Sequence, residues 1–468
     1  MCFSMRIACA AVLLSAATSL AAVAQTLTTL VQFSGHNGAN PQAAVVQATD
    51  GNFYGTTENG GANNYGTVFQ MTPAGKLTTL YSFDSTAYNP IAGLIQATDG
   101  NLYGTTGDGY AIAGTIFRIT LAGELTTLSA IGGAQGAIPD AALLQAADGN
   151  FYGPAHQGGA FGNFGAIFEV TPEGTLTTLY SFNGNGPTNA GGLPSGGLAQ
   201  ASNGSFFGTA ADYGGAHPGC GIFGCGTVYE LTPSFTVTAY IFDYVHGAHP
   251  TGAVRIHDSS RTVYGTTSQG GRSTSCSSGC GTIFKIASGG AITTLHDFDL
   301  TDGASLAGPL VLASDGNFYG VTQSGGANNL GTIFKITFAG ELTTLHSFSS
   351  AEGSTPVGLI QGTDGTFYGT TYAGVAKGDG TVFNFSAGLA PFVETQPEFG
   401  KAGATISILG TNLTGATGVT FNGVAAAFTV VSPSAISATV PSGAATGKVQ
   451  VTAPGGTLLS AVPFVVTP

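Results

Sequence analysis

His246 and His249 lie beside Asp243, one step of an internal repeat beyond His217. Imidazole and carboxylate groups at such spacing supply two or three zinc ligands. Histidines in a glycine-rich polar stretch serve equally well as solvent-facing loop residues, and no metal is assigned. Four carboxylates, Glu58, Asp108, Asp212 and Asp379, fall in segments that vary between otherwise similar stretches. Glycoside hydrolysis needs two facing carboxyl groups, one to protonate the leaving oxygen and one to activate water or attack carbon. The corresponding positions elsewhere read as Gln157, Gln269, Gln323 and Ala373, so no acid recurs. Neither a Gly-x-Ser-x-Gly elbow nor a His-Glu-x-x-His pair occurs. Gly66-Thr67-Val68-Phe69 lacks the lysine and following helix of a phosphate loop. No catalytic residue and no cofactor is assigned.

Aromatic rings offer a different chemistry. Tyr65, Tyr110, Phe161, Phe164, Tyr213 and Tyr372 are not repeated and fall in variable segments, with Asn63, Asn64, Asn163, Asn328 and Asn329 nearby. Rings beside neutral amides suit an uncharged polysaccharide. Ligand binding is therefore expected at Tyr65, Tyr110, Phe164, Tyr213, Tyr372, Asn63 and Asn328. The repeated Phe53, Tyr54 and Phe69 read as packing residues, and His296 and His346 share a strand position with Tyr81 and Tyr180. Asp50, Asp99, Asp148, Asp315 and Asp364 each precede glycine, where a carboxylate caps its own turn.

A repeat supplies the strands and loops on which these residues lie. Asp50-Gly51-Asn52-Phe53-Tyr54-Gly55-Thr56-Thr57 returns along the chain, and the glycine after the aromatic falls at Gly55, Gly104, Gly153, Gly208, Gly265, Gly320 and Gly369. Each unit divides into four short strand candidates, in the first unit 43–48, 52–57, 66–72 and 77–83, rich in β-branched and aromatic residues between turn formers. Seven four-stranded units predict a closed seven-bladed β-propeller over 25–388. The orphan stretch 27–33 copies a fourth strand and is expected beside 380–386, closing the ring. The short Asp-Gly and Pro-x-Gly turns then lie on one face, and the variable loops and inter-unit crossings on the other.

Composition agrees with an all-β protein. The 468 residues include 75 glycines, 20 prolines and no tryptophan, with 43% hydrophobic and only 7% charged residues. A chain of that length suggests two to four domains. Its net charge of −13 repels phosphate backbones, so no nucleic-acid partner is expected. Residues 1–24 carry Arg6 as their only charge and end in Ala22-Val23-Ala24, which predicts a signal peptide cleaved near Ala24. The protein is then secreted or held at the outer surface, with no stable membrane span. Export permits disulfides among Cys220, Cys225, Cys276 and Cys280. Local pairing, 220 with 225 and 276 with 280, is the expectation, and crossed pairing or a four-cysteine zinc site are the alternatives. Residues 391–468 lose the repeat and read as a small immunoglobulin-like β-sandwich.

The motif Phe53–Thr57, followed by Gly60-Gly61 and by Gly66-Thr67-Val68-Phe69, resembles the glycine-rich repeat family first described in Gloeobacter and Verrucomicrobia. The likeness runs from Leu27 to about Ser386 and departs at Pro154-Ala155, at Phe207 and in 234–242. The tail resembles IPT/TIG domains in Gly403, in Ile406 and Gly410-Thr411-Asn412-Leu413, and in Val440-Pro441. These resemblances imply secreted proteins of the cell surface, often adhesive or carbohydrate-active, and carry no catalytic residue onto this chain. The expected function is an exported, non-catalytic binding or adhesion protein that recognises polysaccharide, or a surface protein, through its variable-loop face. The alternatives are a carbohydrate-active enzyme using unique loop carboxylates and a structural protein of the envelope or matrix. Oligomeric state is not assigned.

Overall fold

The computed structural model describes residues 25–467 apart from 109–112, 185–189, 215–216, 258–261, 288, 307 and 375–376. The expected signal peptide at 1–24 and the expected ligand residue Tyr110 lie outside the described residues.

Each repeat folds into an antiparallel sheet because its sequence alternates strand formers with turn chemistry. In the first unit the strands are Val46–Gln47, Phe53–Thr57, Thr67–Met71 and Leu77–Ser82, hydrogen-bonded in that order. Asp50 makes the first turn: its Oδ1 accepts from the Asn52 amide at 3.0 Å, and its Oδ2 accepts from the Tyr54 hydroxyl at 2.7 Å. Burial pushes the Tyr54 phenol well above its usual pKa, and the Asp50 hydrogen bond adds to this. The glycine of the motif has a steric reason. A Cβ on Gly55 would lie 2.6 Å from the Phe69 ring, which rests on the bare backbone. The innermost strand is shorter than the sequence suggests, pairing only Val46 with Tyr54 and Gln47 with Phe53.

The expected closed seven-bladed propeller is corrected by the strand topology. Among the described residues the repeats form separate open sheets, six of four strands and one of five, and no ladder continues from one sheet into the next. Hydrogen bonds between strands end at each sheet's edges, so sheets meet through side chains instead. Tyr103 stacks on Phe151 at 4.1 Å and Tyr152 on Phe206 at 4.5 Å, each pair bridging neighbouring units. Glutamines clamp the turns across the same gaps: the Thr49 amide donates to Gln96 Oε1 at 2.8 Å and the Ser314 amide to Gln361 Oε1 at 2.8 Å. The last and first units meet in the same way, with Phe53 on Tyr368 at 4.0 Å and the Thr363 amide donating to Gln47 Oε1 at 2.9 Å. The first strand, Thr26–Gln32, pairs antiparallel with Thr381–Ser386, Leu27 opposite Phe385, and forms the outer edge of the last sheet.

The tail holds two four-stranded sheets. One runs Glu394–Gln396, Thr405–Leu409, Ala435–Thr439, Phe428–Ser432, and the other Val424–Ala425, Gly418–Phe421, Val449–Ala453, Gly456–Leu459. Ile406, Ile408, Val419, Phe421, Ile436 and Val451 fill the core between them. The tail rests against the Asp-Gly turns of the first and last units: Ser434 Oγ donates to the Thr49 carbonyl at 2.8 Å, and the Phe392 amide to the Thr363 carbonyl at 3.0 Å. Its contacts therefore fall on the turn side, away from the variable loops. No helix among the described residues is long and apolar enough to cross a membrane.

Candidate functional site

On the variable-loop side, each crossing between units is tied to the strands it passes by a repeated backbone pattern. Asn40, Asn89, Ile138, Leu193, His249, Ser305 and Thr355 all adopt positive φ. A left-handed residue reverses the chain and aims both its amide and its carbonyl at neighbouring strands. The amides of Asn89, Leu193 and His249 donate to the carbonyls of Tyr65, Phe164 and Cys225 at 3.2, 2.9 and 3.0 Å. In turn the carbonyls of Asn40, Ile138 and His249 accept from the amides of Glu58, His156 and Ser268 at 3.1, 3.0 and 3.1 Å. Residues just after a second strand are thereby placed beside residues of a crossing.

Two such meetings bring chemistry together. Asp140, in the crossing before the third unit, has Oδ2 at 3.4 Å from Nδ1 of His156. His249, in the crossing before the fifth unit, has Nδ1 at 2.9 Å from Oδ1 of Asp212. The charge of Asp212 also acts on His156, which links the pairs across the third, fourth and fifth units. Side-chain exposure is 22% for Asp140, 25% for His156, 18% for Asp212 and 23% for His249, so each side chain is largely enclosed with one edge reaching solvent. Within it, Asp140 Oδ1, His156 Nδ1 and Asp212 Oδ1 are sealed and have no hydrogen-bond partner. Both Asp–His contacts are thus close but off the line of a hydrogen bond. Buried polar atoms in this state are uncommon in native folds.

The electrostatics follow from the enclosure. Burial pushes the Asp140 carboxyl up, to about 8, against a weaker opposing hydrogen bond from its own amide. Burial also lowers His156, opposed by a hydrogen bond to the Pro194 carbonyl and by the Asp212 charge. At neutral pH this favours a protonated carboxyl beside a neutral imidazole, an arrangement suited to moving protons.

The residues named from sequence are distributed unevenly. Asp212 is in this centre, and His249 is there as its partner. His246 instead bonds Asp243 through Nδ1 at 2.8 Å, and His217 stacks on Tyr244 at 5.4 Å, so the three histidines do not converge. Among the described residues no group of three or more His, Cys, Asp or Glu is placed to hold a metal. Glu58 Oε2 accepts from Gln42 at 2.9 Å and is bonded to the Tyr372 phenol. Asp108 ends a strand opposite Ala113, and Asp379 lends its carbonyl to the Asn40 amide at 2.7 Å. Asn63 and Asn328 donate to the Phe83 and Phe348 carbonyls at 3.0 and 2.9 Å, which engages their amides within their own loops. Tyr65 is 37% exposed and leans on Tyr88 at 5.5 Å. Phe164 meets Tyr213 edge-on at 5.0 Å, and Tyr213 meets Phe223 at 5.9 Å. The disulfides are local, Cys220–Cys225 and Cys276–Cys280.

Asp140 and His156 were not among the expected site residues, although a signal for His156 was present. Glu58 stands three residues after Gly55, and the same count from Gly153, Gly265, Gly320 and Gly369 reaches His156, Ser268, Gln323 and Tyr372. Reading Gln157, Gln269 and Ala373 as the equivalents slips by one residue and hides the histidine. Asp140 had no such signal, because its role depends on a contact with the next strand.

A family model described as the Gloeobacter/Verrucomicrobia repeat matches residues 16–223 and 215–428, and one described as the IPT/TIG domain matches 393–466. No curated protein matches the sequence. Among solved structures, the chain is similar to a structural genomics protein of unknown function from Bacteroides thetaiotaomicron, at 13% identity and TM-score 0.43, covering 78% of this chain and 76% of that one. It is also similar to the β-propeller domain of the Trilobed protease from Pyrococcus furiosus, at 10% identity and TM-score 0.39, covering 74% and 94%. A third likeness is to an α-L-arabinofuranosidase of Fusarium graminearum in complex with arabinobiose, at 13% identity and TM-score 0.37, covering 75% and 97%. Likenesses at this level carry no argument about activity.

Proposed function

The chain belongs to the Gloeobacter/Verrucomicrobia repeat family, and from that premise we propose an exported carbohydrate-active enzyme with Asp140, His156, Asp212 and His249 as its acid–base centre. The observation that carries this reading is Asp140 itself: its Oδ1 is sealed without a partner while its Oδ2 faces His156. The carboxyl is pushed up to about 8 by burial, so it holds a proton at neutral pH.

The chemistry is hydrolysis of a glycosidic bond. Asp140 gives its proton to the bridging oxygen as the bond from that oxygen to the anomeric carbon breaks. Asp212 takes a proton from water, and the resulting hydroxyl adds to the anomeric carbon. Solvent carries the proton from Asp212 back to Asp140 between turnovers, and His249 stands beside Asp212 with Nδ1 at 2.9 Å from Oδ1. One water is consumed and no other reactant is needed. A net charge of −13 favours a neutral polysaccharide over a polyanion.

Incubation of the mature chain with a panel of neutral polysaccharides, followed by analysis of new reducing ends, tests the proposal. Products are expected, and Asp140→Asn or Asp212→Asn should lower their rate by ~100-fold or more. The second reading, adhesion without turnover, is favoured by exposed loop aromatics such as Phe161 at 62% and Tyr65 at 37%. Retention of a polysaccharide with no products from any of them would replace the enzyme with the binder.

A further inference from the structure

We infer that Phe161, Phe164, Tyr213 and Phe223 form a stacking subsite for a neutral hexopyranose unit beside the acid–base centre. This rests on the carbohydrate-active reading and gives that site its substrate class.

Position comes first. Tyr213 directly follows Asp212 in the chain. The Leu193 amide donates to the Phe164 carbonyl at 2.9 Å, and the next residue, Pro194, offers its carbonyl to His156. The rings and the acid–base centre therefore share one set of loops.

The rings are also held in place. Tyr213 has φ +65°, a left-handed conformation that a bulky residue adopts only when its surroundings impose it. Its amide donates to the Phe223 carbonyl. Its ring lies over Gly192, where a Cβ would come within 2.9 Å. Gly184 plays the same part for Phe164, where a Cβ would lie 2.3 Å from the ring. Phe223 belongs to the short helical turn Pro218–Phe223, which the Cys220–Cys225 disulfide closes. Even so, Phe223 remains 51% exposed, with its chain neighbour Ile222 at 91%, and Phe161 in the facing loop segment is 62% exposed. Phe223, set on Tyr213 and closed in by the disulfide yet bare above, is poised for a ligand rather than for the core.

The chemistry selects the ligand. The loop segments 156–165 and 213–225 contain no Lys, Arg, Asp or Glu. A uronate or sulfated sugar would find no counter-charge there. A neutral pyranose presents C–H bonds on one ring face, and that face removes apolar area from water when laid on an aromatic ring. Gln157 and Asn163 in the same loops supply neutral hydrogen-bonding groups for hydroxyls.

The test is calorimetric titration of the full mature chain carrying Asp140→Asn, chosen to slow turnover during the titration, with cellohexaose, mannohexaose and hexagalacturonate. At least one neutral hexasaccharide is expected to bind and the uronate not to. Phe223→Ala and Phe161→Ala should each weaken that binding by ~5- to 30-fold. Both rings are exposed, so thermal unfolding should be unchanged and serves as the folding control. Ring-dependent binding in a chain that cleaves nothing would uphold the subsite and remove the acid–base reading. Binding unaffected by either variant, equal binding of the uronate, or no neutral hexasaccharide bound would each overturn the subsite.

Discussion

The amide of His249 donates to the carbonyl of Cys225 at 3.0 Å, and Cys225 is bonded to Cys220 five residues earlier in the chain. One covalent brace thus reaches two features at once. It fixes the carbonyl that positions His249 against Asp212, and it closes the turn that presents Phe223 to Tyr213.

Replacing both Cys220 and Cys225 by serine should therefore cost more function than stability. Closing so short a loop contributes only ~1–3 kcal/mol, yet hexasaccharide binding and turnover should both fall by ~10-fold or more. The Cys276→Ser and Cys280→Ser pair is the control. Its loop closes over only four residues and carries none of the four rings, so stability should drop comparably while binding stays unchanged. Chemical denaturation alongside calorimetry separates the two effects.

Asp140 makes the protein's pH dependence specific in sign. Its carboxyl is raised to about 8 in the fold and returns to the ordinary carboxyl range, about 4, on unfolding. Between those values the folded state binds the extra proton, so this group's contribution to stability is greatest at low pH and is lost as pH rises towards 8. Glu394, raised to about 7 chiefly by burial, acts in the same direction. Urea denaturation at pH 5, 7 and 9 should show stability attributable to Asp140 declining, and Asp140→Asn should flatten that part of the decline. Turnover should lose its proton donor over the same range, so kcat/KM should fall as pH passes about 8.

The glycine of the repeat motif admits a steric test. In the sixth unit a Cβ on Gly320 would lie 2.5 Å from Phe334, a fully buried ring. Gly320→Ala should cost ~1–3 kcal/mol by overpacking. Gly316, in the turn four residues earlier, has φ +77°, and a methyl group there would meet nothing within 4 Å. Gly316→Ala should cost ~1–2 kcal/mol through backbone conformation alone. Pairing Gly320→Ala with Phe334→Leu should recover part of the first loss and none of the second, as read from denaturation midpoints.

Removing residues 25–33 takes away the strand that pairs with Thr381–Ser386 and leaves that edge of the last sheet bare. Buried Phe383 and Phe385 lie along the exposed ladder. An unprotected apolar edge templates pairing with other chains, so the shortened protein should aggregate where the mature one stays monodisperse. Light scattering during refolding measures the difference.

The local features of this protein are written in short runs of residues. Asp50, Gly51 and Tyr54 specify a turn and its hydrogen bonds within five residues, and the same solution recurs wherever the motif recurs. The four strands of each unit, the pairing of 27–33 with 380–386, the local disulfides and the separate tail were legible for that reason: short-range turn chemistry and strand propensity encode them. Tertiary structure decided how the units meet. A period of about 50 residues cannot distinguish one closed assembly from open sheets joined by stacked rings and glutamine clamps, since the same strands serve both. It also decided which polar groups converge. Asp140 meets His156, and His249 meets Asp212, because left-handed residues fold the crossings onto neighbouring strands. Asn63 and Asn328, polar and in loops, looked free for a ligand until packing placed a carbonyl within reach of each. Residue type can be read along the chain, whereas partnership and solvation belong to the three-dimensional arrangement that excludes the water.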